Sequence, residues 1–170
     1  PEYAQRKNLK ACKSLLTQVR ELASIYSLRQ EADFEVATCG SGVVSANQCV
    51  LAREIVNLIR EPFLRILLLV QIARKYRQLG DTGKCEATLS EAEKVLETEE
   101  PFMGGRSESM LLLEECLTAG LFSRAFSYPG WLTADEVVSV FVSGLPAFEK
   151  MERGLGKTIL RDTVRLAAWV

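Results

Sequence analysis

The fragment "GLGKT", residues 154–158, carries the residue types of a phosphate-binding loop. Such a loop cradles a phosphate on backbone amides while its lysine reaches the outer oxygens. It needs a glycine five residues ahead of the Gly-Lys-Thr glycine, and a strand before that. Counting back from Gly156 gives Met151, and the preceding "PAFEKMER" is patterned as a helix. The fragment therefore reads as one helix stopping and the next starting. Neighbouring carboxylates stand at Glu99 and Glu100, Glu114 and Glu115, and Asp135 and Glu136. General acid–base chemistry wants carboxylates that converge on one pocket with separated pKa values. Adjacent residues on a helix point in different directions, so these pairs are expected on solvated faces or at helix starts.

The chain of 170 residues contains no histidine, which removes Ser-His-Asp triads, Cys-His dyads and imidazole-bound metals from this stretch. Cys12, Cys39, Cys49, Cys85 and Cys116 are widely spaced and form no CxxC pair, so neither a zinc site nor a dithiol redox motif is indicated. They read as small apolar residues in a reducing, cytoplasmic setting. No catalytic, cofactor-binding or metal-binding residue is assigned, and the chain is expected to be non-enzymatic.

Bulk properties point the same way. A 48% apolar and 25% charged composition is that of an ordinary globular domain. The net charge of −1 gives no field that favours nucleic acid or an anionic membrane. The longest apolar run, "FLRILLLVQIA", is too short to span a bilayer and holds an arginine, so it reads as a buried helix. Charge is nonetheless uneven: residues 1–30 hold six basic and two acidic side chains, and residues 86–115 hold two basic and nine acidic. A polarised surface of this kind steers charged partners or promotes self-pairing. A chain that starts at Pro1 and ends on "LAAWV" is expected to be a piece of a longer protein.

Residues 4–29 carry apolar side chains at helical spacing, including Leu15, Leu22 and Tyr26. "EADFEVATCGSGVVSAN", with two glycines, breaks that period and is expected to be a loop, with Ser45 capping a second helix, "ANQCVLAREIVNLI". Pro62 is placed to open a third helix and Gly80 to close it. A fourth helix follows over about residues 83–97, and "MLLLEECLTAG" reads as a fifth after the break "EEPFMGGRSES". Thr133 with Glu136 makes a capping-box pair before "VVSVFVSGL", which favours helix there despite its β-branched content. "PAFEKMER" and "KTILRDTVRLAAWV" supply two more helices. The expected fold is all-α: antiparallel helix pairs at 1–60, 61–100 and 106–170, the last with extra C-terminal helices.

A degraded repeat of roughly 40 residues runs through the chain. "REPF" at Arg60 returns as "EEPF" at Glu99, Gly80 and Cys85 match Gly120 and Ala125, and Ala23 with Tyr26 shares the spacing of Ala73 with Tyr76. Residues 69–92 resemble a tetratricopeptide repeat through Ile72, Ala73, Tyr76, Leu79, Gly80, Cys85, Leu89 and Ala92, with "LGDTGKC" as the inter-helix turn. Elsewhere Leu113 and Cys116 depart from that pattern, and a HEAT-type array of helix pairs stays open. The resemblance implies a short α-solenoid whose first helices line a concave groove that holds a peptide. By that resemblance Arg20, Ser24, Arg74, Arg77, Gln78 and Glu114 face the groove. Arginine suits a carboxylate or phosphate there through bidentate hydrogen bonds. The expected partner is another protein or peptide segment, with self-association through the ends of the stack as a variant. A regulatory or lid domain of a larger enzyme and a small-molecule carrier are the rival readings.

Overall fold

The computed structural model describes residues 29–98, 106–125 and 133–167, together with positions 11, 14, 15, 17, 18 and 21. Every regular element among these residues is helical: α1 (Arg29–Ser45), α2 (Cys49–Val56), α3 (Pro62–Gln78), α4 (Thr82–Thr98), α5 (Arg106–Thr118), α6 (Phe122–Ala125), α7 (Ala134–Met151) and α8 (Leu155–Ala167). None of the described helices is long and apolar enough to cross a membrane. The chain forms two compact units, Pro1–Phe102 and Met103–Val170.

In the first unit the expected loop at residues 31–47 is instead most of helix α1. Gly40 is a packing residue. A methyl group on Gly40 would stand 2.5 Å from Leu68 Cδ2 of α3 and 3.3 Å from Ile55 Cγ2 of α2. Glycine is therefore what lets α1 lie this close to both helices. Ala32, Val36, Ala37, Val43 and Val44 complete its buried face. Ser45 caps nothing: it is the last residue of α1, and its hydroxyl donates back to the Ser41 carbonyl at 3.0 Å. The second helix correspondingly starts later than expected, at Cys49. Positions 11, 14, 15, 17, 18 and 21 of the expected first helix are helical, with Leu15 exposed, and residue 29 begins α1; its other residues lie outside the described ones.

Three helix ends share one design. At Asn47, Gly80 and Gly120 the backbone turns left-handed, with φ of 62°, 77° and 78°. After α3 the Asp81 amide donates to the Tyr76 carbonyl at 2.9 Å and Gly80 to Arg77 at 3.0 Å. The same pair of bonds joins Gln48 to Val43 and Asn47 to Val44 after α1, and Leu121 to Cys116 and Gly120 to Leu117 after α5. This is the Schellman arrangement, which satisfies the last carbonyls of a helix and reverses the chain. Five residues beyond each left-handed residue stands a buried small side chain: Ala52, Cys85 and Ala125. The match of Gly80 and Cys85 with Gly120 and Ala125 is thus structural as well as sequential. Ala23 and Tyr26 lie outside the described residues; residues 40–52 supply the corresponding turn nearer the N-terminus.

Helix α3 begins as expected, with Pro62 in its first turn and the Glu61 carboxylate accepting from the Leu64 amide at 2.7 Å. One residue earlier, the buried Asp33 of α1 accepts from the amides of Arg60 and Glu61, both at 3.0 Å. Asp33 opposite residues 60–61 and Gly40 opposite Leu68 place α1 and α3 side by side in the same direction. Helix α4 returns antiparallel along α3, with Cys85, Leu89, Ala92, Val95 and Leu96 buried. An ion pair between Arg53 and Glu91 joins α2 to α4.

In the second unit α5 starts at Arg106, inside the expected break, because Glu108 and Ser109 are buried helical residues. Glu115 is buried too, so two carboxylates of the acidic stretch are not surface charge. "VVSVFVSGL" is helical, and the Glu136 carboxylate accepts from the Thr133 amide at 2.9 Å. The expected boundary before "PAFEKMER" is not there: α7 continues through Pro146 to Met151. Pro146 is exposed, so the bond its missing N–H leaves unmade falls on the side open to water. Gly144 gives α7 its close approach to α5, since a methyl there would meet Leu117 Cδ1 at 3.3 Å.

Gly40→Ala is expected to cost roughly 1–2 kcal/mol, because displacing the buried Leu68 outweighs the better helix propensity of alanine. Gly83→Ala, with nothing within 4 Å of the added methyl, should gain about 0.5 kcal/mol. Urea unfolding of the two variants tests the opposite signs. Asp33→Ala strips the acceptor from two amides and should cost about 3 kcal/mol, with Asp33→Asn milder because it keeps an acceptor.

Candidate functional site

A groove of about 220 Å³ runs between α1 and α3 in the first unit. Helix α3 contributes Gln71, Arg74, Lys75 and Gln78, and α1 contributes Ser41, Val44 and Ser45. These are positions i, i+3, i+4 and i+7 on one helix and i, i+3 and i+4 on the other, which is one face of each. Directly behind that face of α3 lie Leu69, Ile72, Ala73 and Tyr76, all buried. The polar side chains therefore stand on a packed apolar layer.

Two of the expected groove residues, Arg74 and Gln78, are brought together here. Arg77 is on the same helix, half-buried, but does not line this groove. Glu114 is an exposed residue of α5 in the second unit. Arg20 and Ser24 lie outside the described residues. Gln71 and Lys75 were legible from the helical spacing of α3, one turn before and one residue after Arg74. Ser41 and Ser45 were not, because the glycines of α1 suggested a loop.

The electrostatics beside the groove, at residues that do not line it, follow first from burial. Cys49, at the start of α2, is a buried free thiol whose pKa is pushed up by desolvation and partly restored by the charge of Lys75. It is a packing residue rather than a nucleophile. Burial also raises the Tyr76 hydroxyl. Lys84 lies 5.5 Å from the Tyr76 ring centre and bonds to Asp81 Oδ2 at 2.6 Å. Asp81 also accepts from the Lys84 amide at 3.1 Å, so it caps α4, and these bonds hold its carboxyl below the usual range. Lys84 thus serves the turn, while Arg74 and Lys75 line the groove.

"GLGKT" is explained by a second set of contacts. Its backbone amides at Gly154 and Lys157 donate to the two oxygens of Glu149, at 3.0 and 3.3 Å. Gly154 takes φ of 91°, and Gly156 packs so closely on Glu149 that a methyl would sit 2.9 Å from its Cγ. The anion at the start of α8 is therefore the chain's own carboxylate, held on α7. The bonds from Gly154, and then from Lys157 and Gly156, draw its pKa below the ordinary glutamate range. Among the described residues no group of three or more His, Cys, Asp or Glu could hold a metal ion.

The chain matches no protein-family model, no curated protein and no solved structure. Function is therefore argued from the groove alone.

A depressed carboxylate stabilises the fold above its ordinary pKa and loses that contribution as the pH falls through the lowered value. Glu149→Gln is accordingly expected to melt below the wild type at pH 7. The gap should close as both are acidified below the glutamate range, measured by circular dichroism melts across pH.

Proposed function

We propose that residues 29–98 form a non-enzymatic, protein-binding module of a cytoplasmic scaffold, in which the groove between α1 and α3 receives a peptide segment. The observation that carries this reading is the groove itself: one polar face from each of two parallel helices, backed by a continuous buried layer. Side chains mounted on packed helices lose little freedom when a partner docks, so contacts there are not offset by ordering. The repeated turn at Asn47, Gly80 and Gly120 supports a tetratricopeptide-like array of hairpins, in which α1 and α3 are successive first helices. The buried thiols at Cys49, Cys85 and Cys116 suit a reducing compartment.

A small-molecule carrier fits this groove less well. Its volume of about 220 Å³ is below the roughly 300 Å³ at which pockets for drug-sized ligands begin, and six of the seven described residues that line it, all but Val44, have polar side chains. That is space for an anchoring side chain or two.

A photo-crosslinking residue in place of Ser45 tests the reading, with the same residue in place of the exposed Lys94 on α4 as reference. In lysate of the source organism, adducts are expected from position 45 and not from position 94. Equal yields at both, or none at either, would remove the groove from consideration.

A further inference from the structure

Toward a ligand, the two serines that α1 gives the groove act as acceptors. Ser41 donates its hydroxyl proton to the Ala37 carbonyl at 3.1 Å, and Ser45 donates to the Ser41 carbonyl at 3.0 Å. Each oxygen keeps its lone pairs, and an oxygen that is itself donating is polarised into a better acceptor. The serines stand one above the other at i and i+4, so their oxygens repeat at about 6 Å along the helix axis. In an extended chain the N–H groups on one edge belong to alternate residues and recur at about 6.4–6.8 Å. The two repeats differ by less than about 1 Å, which the spread of hydrogen-bond lengths absorbs over a single pair of bonds. A helical peptide offers no such row, because every N–H past its first four is already given to its own carbonyls. The other wall suits the second edge of an extended chain, where N–H and C=O groups both point outward. Gln71 and Gln78 of α3 each end in an amide that can donate and accept.

We infer that the groove binds its peptide as an extended strand laid along α1, with the backbone N–H groups of two ligand residues, n and n+2, donating one to each of the Ser41 and Ser45 oxygens. The inference rests on the groove reading above and specifies the conformation of its ligand. The residue between them, n+1, turns its own N–H toward α3. Recognition at the α1 wall is then of backbone: it fixes the conformation and register of the ligand and asks nothing of the side chains at n and n+2.

The experiment starts from random 12-residue displayed peptides, selected on the full chain and counter-selected on Ser45→Trp, which fills the groove. Circular dichroism first establishes that this variant folds. Each recovered peptide is then made as a series in which one backbone amide at a time becomes an ester, which removes a single N–H and leaves every side chain in place. Affinities for wild type, Ser41→Ala and Ser45→Ala are read by fluorescence polarisation. Alanine favours helix more than serine does, so both variants keep α1. Esters at two positions, two residues apart, are expected to weaken wild-type binding about fivefold each. One of these losses should vanish with Ser41→Ala and the other with Ser45→Ala, as coupling through a single bond requires. That coupling would be read even if the variants bound more weakly throughout. Affinities indifferent to every ester, losses that neither serine variant abolishes, or serine-coupled positions three or four residues apart would overturn the extended strand and leave the groove reading standing. Recovery of no peptide that distinguishes wild type from Ser45→Trp would overturn both.

Discussion

The approach of α1 to α3 at Gly40 is the constraint on which the first unit depends. Without a Cβ at that position the two helices pack with Leu68 against bare backbone, and the polar residues one and two turns further along face one another across a narrow gap. A larger residue would push α1 outward and widen the groove as it did so. Asp33 fixes the other end of the same contact, since its buried carboxylate is bonded to the two amides that lead into α3. Between these two points α1 has neither room to slide nor room to tilt. The groove's dimensions are thus a consequence of core packing, and its chemistry is set by whichever residues fall on the open side of the two helices.

Much of this was legible in the residues, and the failures have a common cause. Helices α3 and α4 declare themselves by a first-turn proline, a terminal glycine and apolar side chains at helical spacing, and each of those signals acts locally. The turn at Gly80 is equally local, because left-handed backbone selects glycine whatever surrounds it. Helix α1 was misread because Gly40 and Gly42 are poor helix formers in isolation. The reason for Gly40 lies 28 residues away, in Leu68, and no local pattern reports it. Pro146 misled for a similar reason: its cost depends on whether the lost hydrogen bond faces the core or water, and exposure is a property of the fold. Of the site, the α3 wall could be read from spacing once Arg74 was singled out, whereas the α1 wall depended on recognising α1 at all.

The same logic separates apparent chemistry from real binding capacity. "GLGKT" has the composition of a phosphate site, and its amides do bind an anion. That anion is Glu149, brought in by the preceding helix, so the donors are already satisfied within the chain. Ser41 and Ser45 show the reverse. They look like ordinary solvated residues, yet their hydroxyl protons are given to carbonyls within α1, which leaves their oxygens as acceptors on the groove side. Whether a polar group can serve a ligand depends on what the fold has already asked of it.

The two units solve the problem of close helix packing with the small residue on different partners. In the first, α1 carries Gly40 and α3 answers with Leu68. In the second, α5 presents Leu117, and the missing side chain is on α7, at Gly144. Forty residues after the buried Ala73 of α3 the sequence has Leu113 of α5, also buried. The recurrence of the left-handed turn at Gly80 and Gly120 therefore preserves the hairpin without preserving what packs on its first helix. A turn is closed by two hydrogen bonds and one permissive residue, while the approach of α1 to α3 needs a glycine on one helix set against a particular leucine of the other. The turn can accordingly recur where the packing of the helix before it differs.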